Sequence, residues 1–130
     1  MPFKNCTIWE EFTPEGTKAL RVTGKLICQA DRHAFNAKVD DLAPSKDRIK
    51  PNQAYIIDIS GVSLIGKPGY QAIMYAVSRF RSFGGRVSVS ANKELVENRL
   101  WSENISSAVQ VFASFLDAAR SLNSKKEIVG

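Results

Sequence analysis

The sequence predicts a single α/β domain built on a mixed, mostly parallel β-sheet. The segment Ala54–Ile59 is nearly all apolar, as expected of a central parallel strand covered by helices. A helix is predicted to start at Pro68, which suits the first helical position, and to end at Gly84-Gly85 before another strand, Arg86–Ser90. Strand, helix and strand in succession form a βαβ unit, and 130 residues suit one domain over 1–130.

An antiparallel hairpin is predicted before this unit. Its strands are Cys6–Phe12 and Ala19–Leu26, and Thr13–Gly16 has the Pro and Gly positions of a type I turn. The other elements follow in chain order: a helix capped by Asp31 and ending before Pro44, a surface loop over 45–53, a helix capped by Asn92 and running through Trp101, a strand over Ala108–Phe112, a helix capped by Ser114 over Phe115–Leu122, and a polar tail over 123–130. The predicted order is therefore ββαβαβαβα, with the core over about 19–122.

Charge and composition favour an ordinary globular protein. The net charge is +5, but the cations are scattered and form no basic helix, so no nucleic-acid binding is expected. The longest apolar run, Ala72–Val77, is too short for a membrane span of roughly 20 residues. The first residues lack the apolar region of a signal peptide, which makes the cytoplasm the default location.

Few residues suggest chemistry. Cys6 and Cys28 lie out of register for a disulfide and are expected to be reduced thiols; no Cys/His spacing suits a metal, and no cofactor is expected. His33 is the only histidine, and the sequence has no serine in a nucleophile motif with which it could form a catalytic triad. A surface position is expected for His33. Asp58 has no second acid nearby in sequence, so we expect it to be hydrogen-bonded at the strand end.

The segment between the central strand and its helix matches a phosphate-binding pattern. Gly61 and Gly66-Lys67 fit G-x-x-x-x-G-K. Pro68 follows, however, where a Ser or Thr would be needed to hold Mg²⁺. We therefore predict no nucleotide hydrolysis, and a small-ligand or nucleotide-binding module using this loop is kept as an alternative function.

A family resemblance covers some four-fifths of the chain, from Ala19 to Leu122. It depends on these segments: Val22-Thr23-Gly24 with Leu26, Ile56–Ile65 followed by Gly69, Gly84–Val87, and Phe115–Leu122. In their order and spacing they resemble a STAS domain, the fold of bacterial anti-sigma factor antagonists. The resemblance implies a non-enzymatic bacterial regulator of transcription and signal transduction.

The loop that carries the switch in that family differs here. The family loop reads Asp-Ser-Ser/Thr-Gly, and a partner kinase phosphorylates the first hydroxyl. The matching positions are Gly66, Lys67, Pro68 and Gly69. Since Lys67 accepts no phosphate, the family phosphoacceptor is absent, and we predict that the loop is not phosphorylated. Ser60 and Ser63 are the alternative hydroxyls beside it.

The resemblance also implies a protein partner, a regulatory serine kinase or an anti-sigma factor, bound through the Gly61–Tyr70 loop and the following helix. The predicted contact residues are these: Ser63, Gly66, Lys67, Pro68, Gly69, Tyr70 and Met74. Tyr70 and Met74 fit a binding surface and a second core layer nearly equally well, and the loop itself fits a simple tight turn. A scaffold subunit of a stressosome or a transporter-associated complex, and a homo-oligomer, also stay open.

Overall fold

A computed structural model gives the architecture and describes residues 5–43, 52–97, 105 and 108–129; for residues 96 and 123–129 it describes the backbone alone. The elements, in chain order, are β1 (Cys6–Phe12), β2 (Lys18–Leu26), α1 (Gln29–Leu42), β3 (Ala54–Ile65), α2 (Lys67–Arg81), β4 (Arg86–Ser90), α3 (Lys93–Glu97), β5 (Val111–Phe112) and α4 (Phe115–Val129).

The strands form one sheet in the order β1-β2-β3-β4-β5. β1 and β2 are antiparallel, and every later neighbouring pair is parallel. The hairpin turn is also as predicted, since the Gly16 N–H donates to the Thr13 carbonyl oxygen at 2.9 Å. The mixed sheet with a central Ala54–Ile59 strand is confirmed.

Side chains alternate along β3, so the strand contributes to both faces of the sheet. Ile57 and Ile59 belong to a large apolar cluster with residues of α1 and α2, including Phe35 and Phe80. Ile56 points the other way and packs in a small cluster with Ala118 and Leu122 of α4. The crossovers through α1 and α2 place both helices on one face, as right-handed connections between neighbouring parallel strands require.

Several predicted boundaries are wrong. The last strand begins at Val111 instead of Ala108, because the Ala108 N–H turns back to the Ile105 carbonyl oxygen. α4 continues through residues 123–129, where we had expected only a tail. The caps at Asn92 and Ser114 are confirmed: they accept the backbone N–H groups of Leu95 at 2.9 Å and Asp117 at 3.1 Å. Trp101 and residues 45–51 lie outside the described part of the chain.

Candidate functional site

β3 is longer than the sequence indicated, and this decides the shape of the site. We expected a loop from Gly61 to Tyr70, but β3 continues to Ile65 and α2 begins at Lys67. The extension pairs only with β2, because β4 pairs with Ala54–Asp58 and goes no further. Val62, Leu64 and Ile65 are good strand formers, and no turn residue interrupts them. The loop prediction is therefore wrong, and Gly66 alone joins strand to helix.

Gly61 suits this extension because the neighbouring strand leaves no room for a side chain. A Cβ at Gly61 would lie 2.6 Å from the Thr23 Cγ2 of β2. The register between β2 and β3 shifts here, between Arg21 and Thr23. Glycine in a strand often marks such an irregularity.

Asp58 is the centre of a polar cluster at the point where β3 leaves β4. Its Oδ1 accepts hydrogen bonds from the Ser60 N–H at 3.1 Å, the Ser60 hydroxyl at 2.7 Å and the Ser90 hydroxyl at 2.8 Å. Its Oδ2 accepts from Arg21 Nε at 3.0 Å. The prediction that Asp58 is hydrogen-bonded is confirmed, although the residue lies within the strand and not at its end.

This cluster is part of a row that crosses the sheet. Strand pairing aligns Trp9 with Arg21, Arg21 with Asp58, Asp58 with Ser90 and Ser90 with Phe112. We call these five residues the polar row. Sequence reasoning missed it, because the pairing of Arg21 with Asp58 depends on the β2–β3 register.

Arg21 connects the polar row to its surroundings. Its Nη1 lies 3.1 Å from Glu11 Oε2, and its guanidinium stacks 4.2 Å from the centre of the Phe115 ring on α4. Glu11 also accepts a hydrogen bond from Trp9 Nε1 at 2.8 Å. The hydrogen bond from Trp9 lowers the pKa of Glu11; burial opposes this shift, and the charge and hydrogen bond of Arg21 add to it.

Asn92 covers part of the edge of the β3 extension that β4 leaves unpaired. Its Nδ2 donates to the carbonyl oxygens of Ser60 at 3.2 Å and Val62 at 2.9 Å, groups that a further strand would otherwise bind. An open depression of about 420 Å³ lies beside it, lined by 60–63 and 92–94. Ser60 and Ser63, the alternative hydroxyls of the sequence analysis, are both exposed here.

The start of α2 packs closely on β2. The Gly66 N–H donates to the Leu26 carbonyl oxygen at 2.8 Å, and a Cβ at Gly69 would lie 2.5 Å from that same oxygen. Gly69 is therefore required by the close approach of helix and strand. Pro68 lies in the first turn of α2, as predicted, and is half-buried.

Tyr70 and Met74 are half-buried and pack against the large apolar cluster. Burial raises the pKa of Tyr70. This packing fits the second core layer that the sequence allowed, and the contact role predicted for the two residues stays a prediction.

The exposed surface at this end of the sheet includes Lys25, Ile27, Ser63, Leu64 and Lys67, which we call the terminal patch. Leu64 is 52% exposed and Ile27 36%. Strand pairing places Lys25 beside Leu64, and a Cβ at Gly66 would lie 3.5 Å from the Ile27 Cα. Sequence reasoning missed Lys25, Ile27 and Leu64, whose exposure depends on the length of β3.

Asp31 holds the start of α1 to the start of β1, and its predicted role as N-cap is wrong. The helix begins at Gln29 with Cys28 as N-cap, and Asp31 is the third helical residue. The carboxylate accepts the N–H groups of Ile27 at 2.9 Å and Cys28 at 3.1 Å, and that of Asn5. Burial alone would raise the pKa of Asp31, but these N–H groups and the thiol of Cys28 lower it to about 2.

Cys6 is buried and Cys28 is half-buried. His33 is exposed on α1. Within the described ranges, no group of three His, Cys, Asp or Glu residues is arranged to hold a metal ion. No helix in that part of the chain is long and apolar enough to cross a membrane.

Comparisons with solved structures identify the architecture. An anti-sigma factor antagonist from Mycobacterium paratuberculosis superposes with a TM-score of 0.69 at 19% identity, covering 91% of this chain and 94% of the other. A candidate anti-sigma factor antagonist from Thermotoga maritima gives 0.67 at 18% identity, covering 89% and 94%. This protein has the STAS fold.

The same fold is found within a larger protein. The murine solute carrier 26 family member A9 anion transporter superposes with a TM-score of 0.63 at 18% identity, over 94% of this chain and 22% of the transporter. No protein-family model and no curated protein matches the sequence. The resemblance read from the sequence is thus confirmed as a STAS fold.

Lys67, which the sequence resemblance sets at the expected phosphoacceptor position, is exposed at the first position of α2. The first turn of α2 contains no acidic residue. This end of the helix is therefore positively charged, whereas a phosphorylated STAS loop would be negative.

Proposed function

We propose that this protein is a non-enzymatic regulator that binds a serine kinase or an anti-sigma factor through the terminal patch and the start of α2. The observation that carries the proposal is the exposure of Ile27 and Leu64 beside Lys67 on a STAS fold. Five large apolar side chains are exposed among the described residues, and these two share one end of the sheet. Exposed apolar groups beside charges are typical of surfaces that bind proteins.

The patch is rigidly supported, which favours recognition. Leu64 lies on a strand, and the Leu26 carbonyl oxygen fixes Gly66 directly after it. A surface built on regular elements loses little conformational entropy when a partner binds.

The partner is bound without the usual phosphoserine switch in this proposal. Lys67 replaces the hydroxyl, and the nearby Ser63 is held by its own bond, donating to the Gly24 carbonyl oxygen at 3.3 Å. A kinase must place a hydroxyl in line with ATP. The Ser63 hydroxyl lies on β3, several residues before the family's phosphoacceptor position, and does not offer that geometry. Binding is then constitutive or regulated elsewhere.

Calorimetry with the purified serine kinases and anti-sigma factors of the source organism tests this function. Leu64→Ser should weaken binding about tenfold or more, since hot-spot truncations have effects of that size. Leu116→Ser is the matched control, because Leu116 is 57% exposed on α4, away from the patch. Equal binding by both variants, or phosphate on wild-type Ser60 or Ser63 after incubation with the kinase, would contradict the proposal.

The depression beside Asn92 favours a second candidate, a small polar ligand. Ser60, Ser63, Lys93 and Glu94 supply its hydrogen-bonding groups. Asn92→Ala should abolish such binding, which ligand screening by NMR would detect. The nucleotide alternative is tested in the same way with Mg²⁺-ATP, for which we predict no hydrolysis.

A further inference from the structure

We infer that the terminal patch takes an acidic partner segment that also presents an aliphatic side chain. The inference rests on the proposed function, and it adds the chemistry by which the partner is recognised. Its basis is the presence of exposed apolar and positively charged side chains together at one end of the sheet.

Contacts at the two strand ends place the residues of the patch close together. Lys25 and Leu64 are paired across β2 and β3, and Leu26 is paired with Ile65 at the next step. The Ser63 hydroxyl bonds to the carbonyl oxygen of Gly24, which precedes Lys25. The strand register therefore fixes Lys25 beside Leu64, and the close approach of Gly66 to Ile27 places the start of α2 next to the end of β2.

The positive charges of the patch have no acidic partner among the described residues. Lys25 and Lys67 are exposed, and neither forms a salt bridge with any residue that the structure describes. By contrast, Arg21, Arg79 and Lys93 each face a carboxylate. The two lysines are thus available to an acidic group from another molecule.

The start of α2 adds to the positive electrostatic potential of the two lysines. A helix N-terminus carries a partial positive charge, which acidic residues in the first turn usually offset. α2 has none there, and Lys67 adds a full charge instead. A partner carboxylate above Gly66 and Lys67 would compensate both charges, which gives an acidic segment an advantage over a neutral one.

The apolar groups distinguish a protein segment from a simple polyanion. Leu64 and Ile27 expose aliphatic surface at the same end of the sheet as the lysines. Nucleic acid or polyphosphate would bind the charges and leave these side chains in water, whereas an acidic segment with a leucine would cover them.

The first experiment uses synthetic peptides of one length and scaffold, titrated into the ¹⁵N-labelled protein. One carries leucines and glutamates; the others exchange the glutamates for lysines or glutamines, or the leucines for serines. We expect only the first to shift the amides of Lys25, Leu64 and Lys67, and its affinity to fall about tenfold when salt is raised to 1 M. Equal shifts from the other peptides, stronger shifts from polyphosphate, or no shift at the patch would overturn the inference.

Charge reversal supplies the matched control. Lys67→Glu should remove binding of the glutamate peptide and create binding of the lysine peptide. Lys18→Glu makes the same change at the opposite end of β2 and should alter neither. Loss of binding in both variants would show a general charge effect and contradict the proposed site.

A second measurement separates this inference from the proposed function. If a kinase or anti-sigma factor binds but Lys67→Glu leaves its affinity unchanged, the function stands and the acidic partner is wrong. If the glutamate peptide binds at the patch but no kinase or anti-sigma factor does, the surface chemistry stands and the regulatory partner is wrong.

Discussion

The sheet face under α1 and α2 is lined by one continuous apolar cluster, whereas the face under α4 has only a small apolar cluster beside the polar row. On the first face, α1 and α2 pack on this cluster, and Leu95 of α3 also belongs to it. On the second, α4 packs on β3, β4 and β5, and Arg21 and Glu11 keep part of their side chains in water. These charges are tolerated there because Arg21 and Glu11 remain partly hydrated and the more buried Asp58 has its hydrogen bonds filled. One face thus supplies most of the apolar stabilisation, and the other holds the polar contacts that fix β3 against β2 and β4.

The largest expected effect comes from truncating two neighbouring residues of β3, one on each face of the sheet, and comparing their free energies of unfolding. Ile57→Ala opens a cavity in the large cluster and should cost about 4 kcal/mol in the free energy of unfolding. Ile56→Ala, the control on the other face, should cost about 2 kcal/mol, since α4 alone can settle into the space. Both side chains are fully buried, so urea unfolding compares only their surroundings. A larger cost for Ile56→Ala would reverse our view of the two faces.

The packing of α2 on the apolar face gives the next effect. Gly69→Ala should cost about 3 kcal/mol, because its Cβ would meet a backbone oxygen and two side-chain atoms closer than 3.0 Å. Gly66→Ala should change stability by less than about 0.5 kcal/mol, since its φ of −114° suits any residue and its Cβ has room. Thermal melts of the two variants test this, and a mild Gly69→Ala would mean that α2 can move away from β2.

Disrupting the polar row should have an intermediate effect. Asp58→Ala leaves Arg21 and the Ser90 hydroxyl without their carboxylate and should cost about 2 kcal/mol. Adding Arg21→Met should recover part of the loss, because it removes the partly buried guanidinium that Asp58→Ala leaves without this carboxylate. A double-mutant cycle by urea unfolding measures the coupling. A coupling of zero would show that the ion pair is only incidental to the row.

The Asp31 carboxylate makes the apolar face sensitive to acid. The pKa of Asp31 is about 2 in the folded protein, against an ordinary value of 3.8. The carboxylate therefore stabilises the fold fully at pH values above 3.8, and this contribution is lost as the pH falls towards 2. The contribution lost is about 2 kcal/mol between roughly pH 5 and pH 2. Asp31→Asn should flatten the stability profile in this window, as followed by urea unfolding at each pH. An unchanged slope would assign the acid sensitivity to other carboxylates.

Local patterns were sufficient for the elements and much of their order. The apolar run before Gly61, the alternation in β2 and the Pro68 and Gly84-Gly85 signals act within a few residues, so the sequence predicts them well. The STAS resemblance depended on the same local segments, and its fold is confirmed. The helix caps at Asn92 and Ser114 are also short-range hydrogen bonds.

Pairing between distant segments decided the rest. Val62–Ile65 can be loop or strand by its own preferences, and it is strand because β2 continues alongside it. The polar row and the terminal patch follow from that β2–β3 register: Arg21 meets Asp58, and Lys25 lies beside Leu64, only after the strands are aligned. The sequence by itself determined the type and order of the described strands and helices, though not all their bounds, because those preferences are local. Only the tertiary structure decided which side chains meet at the site, because register is a property of two strands together.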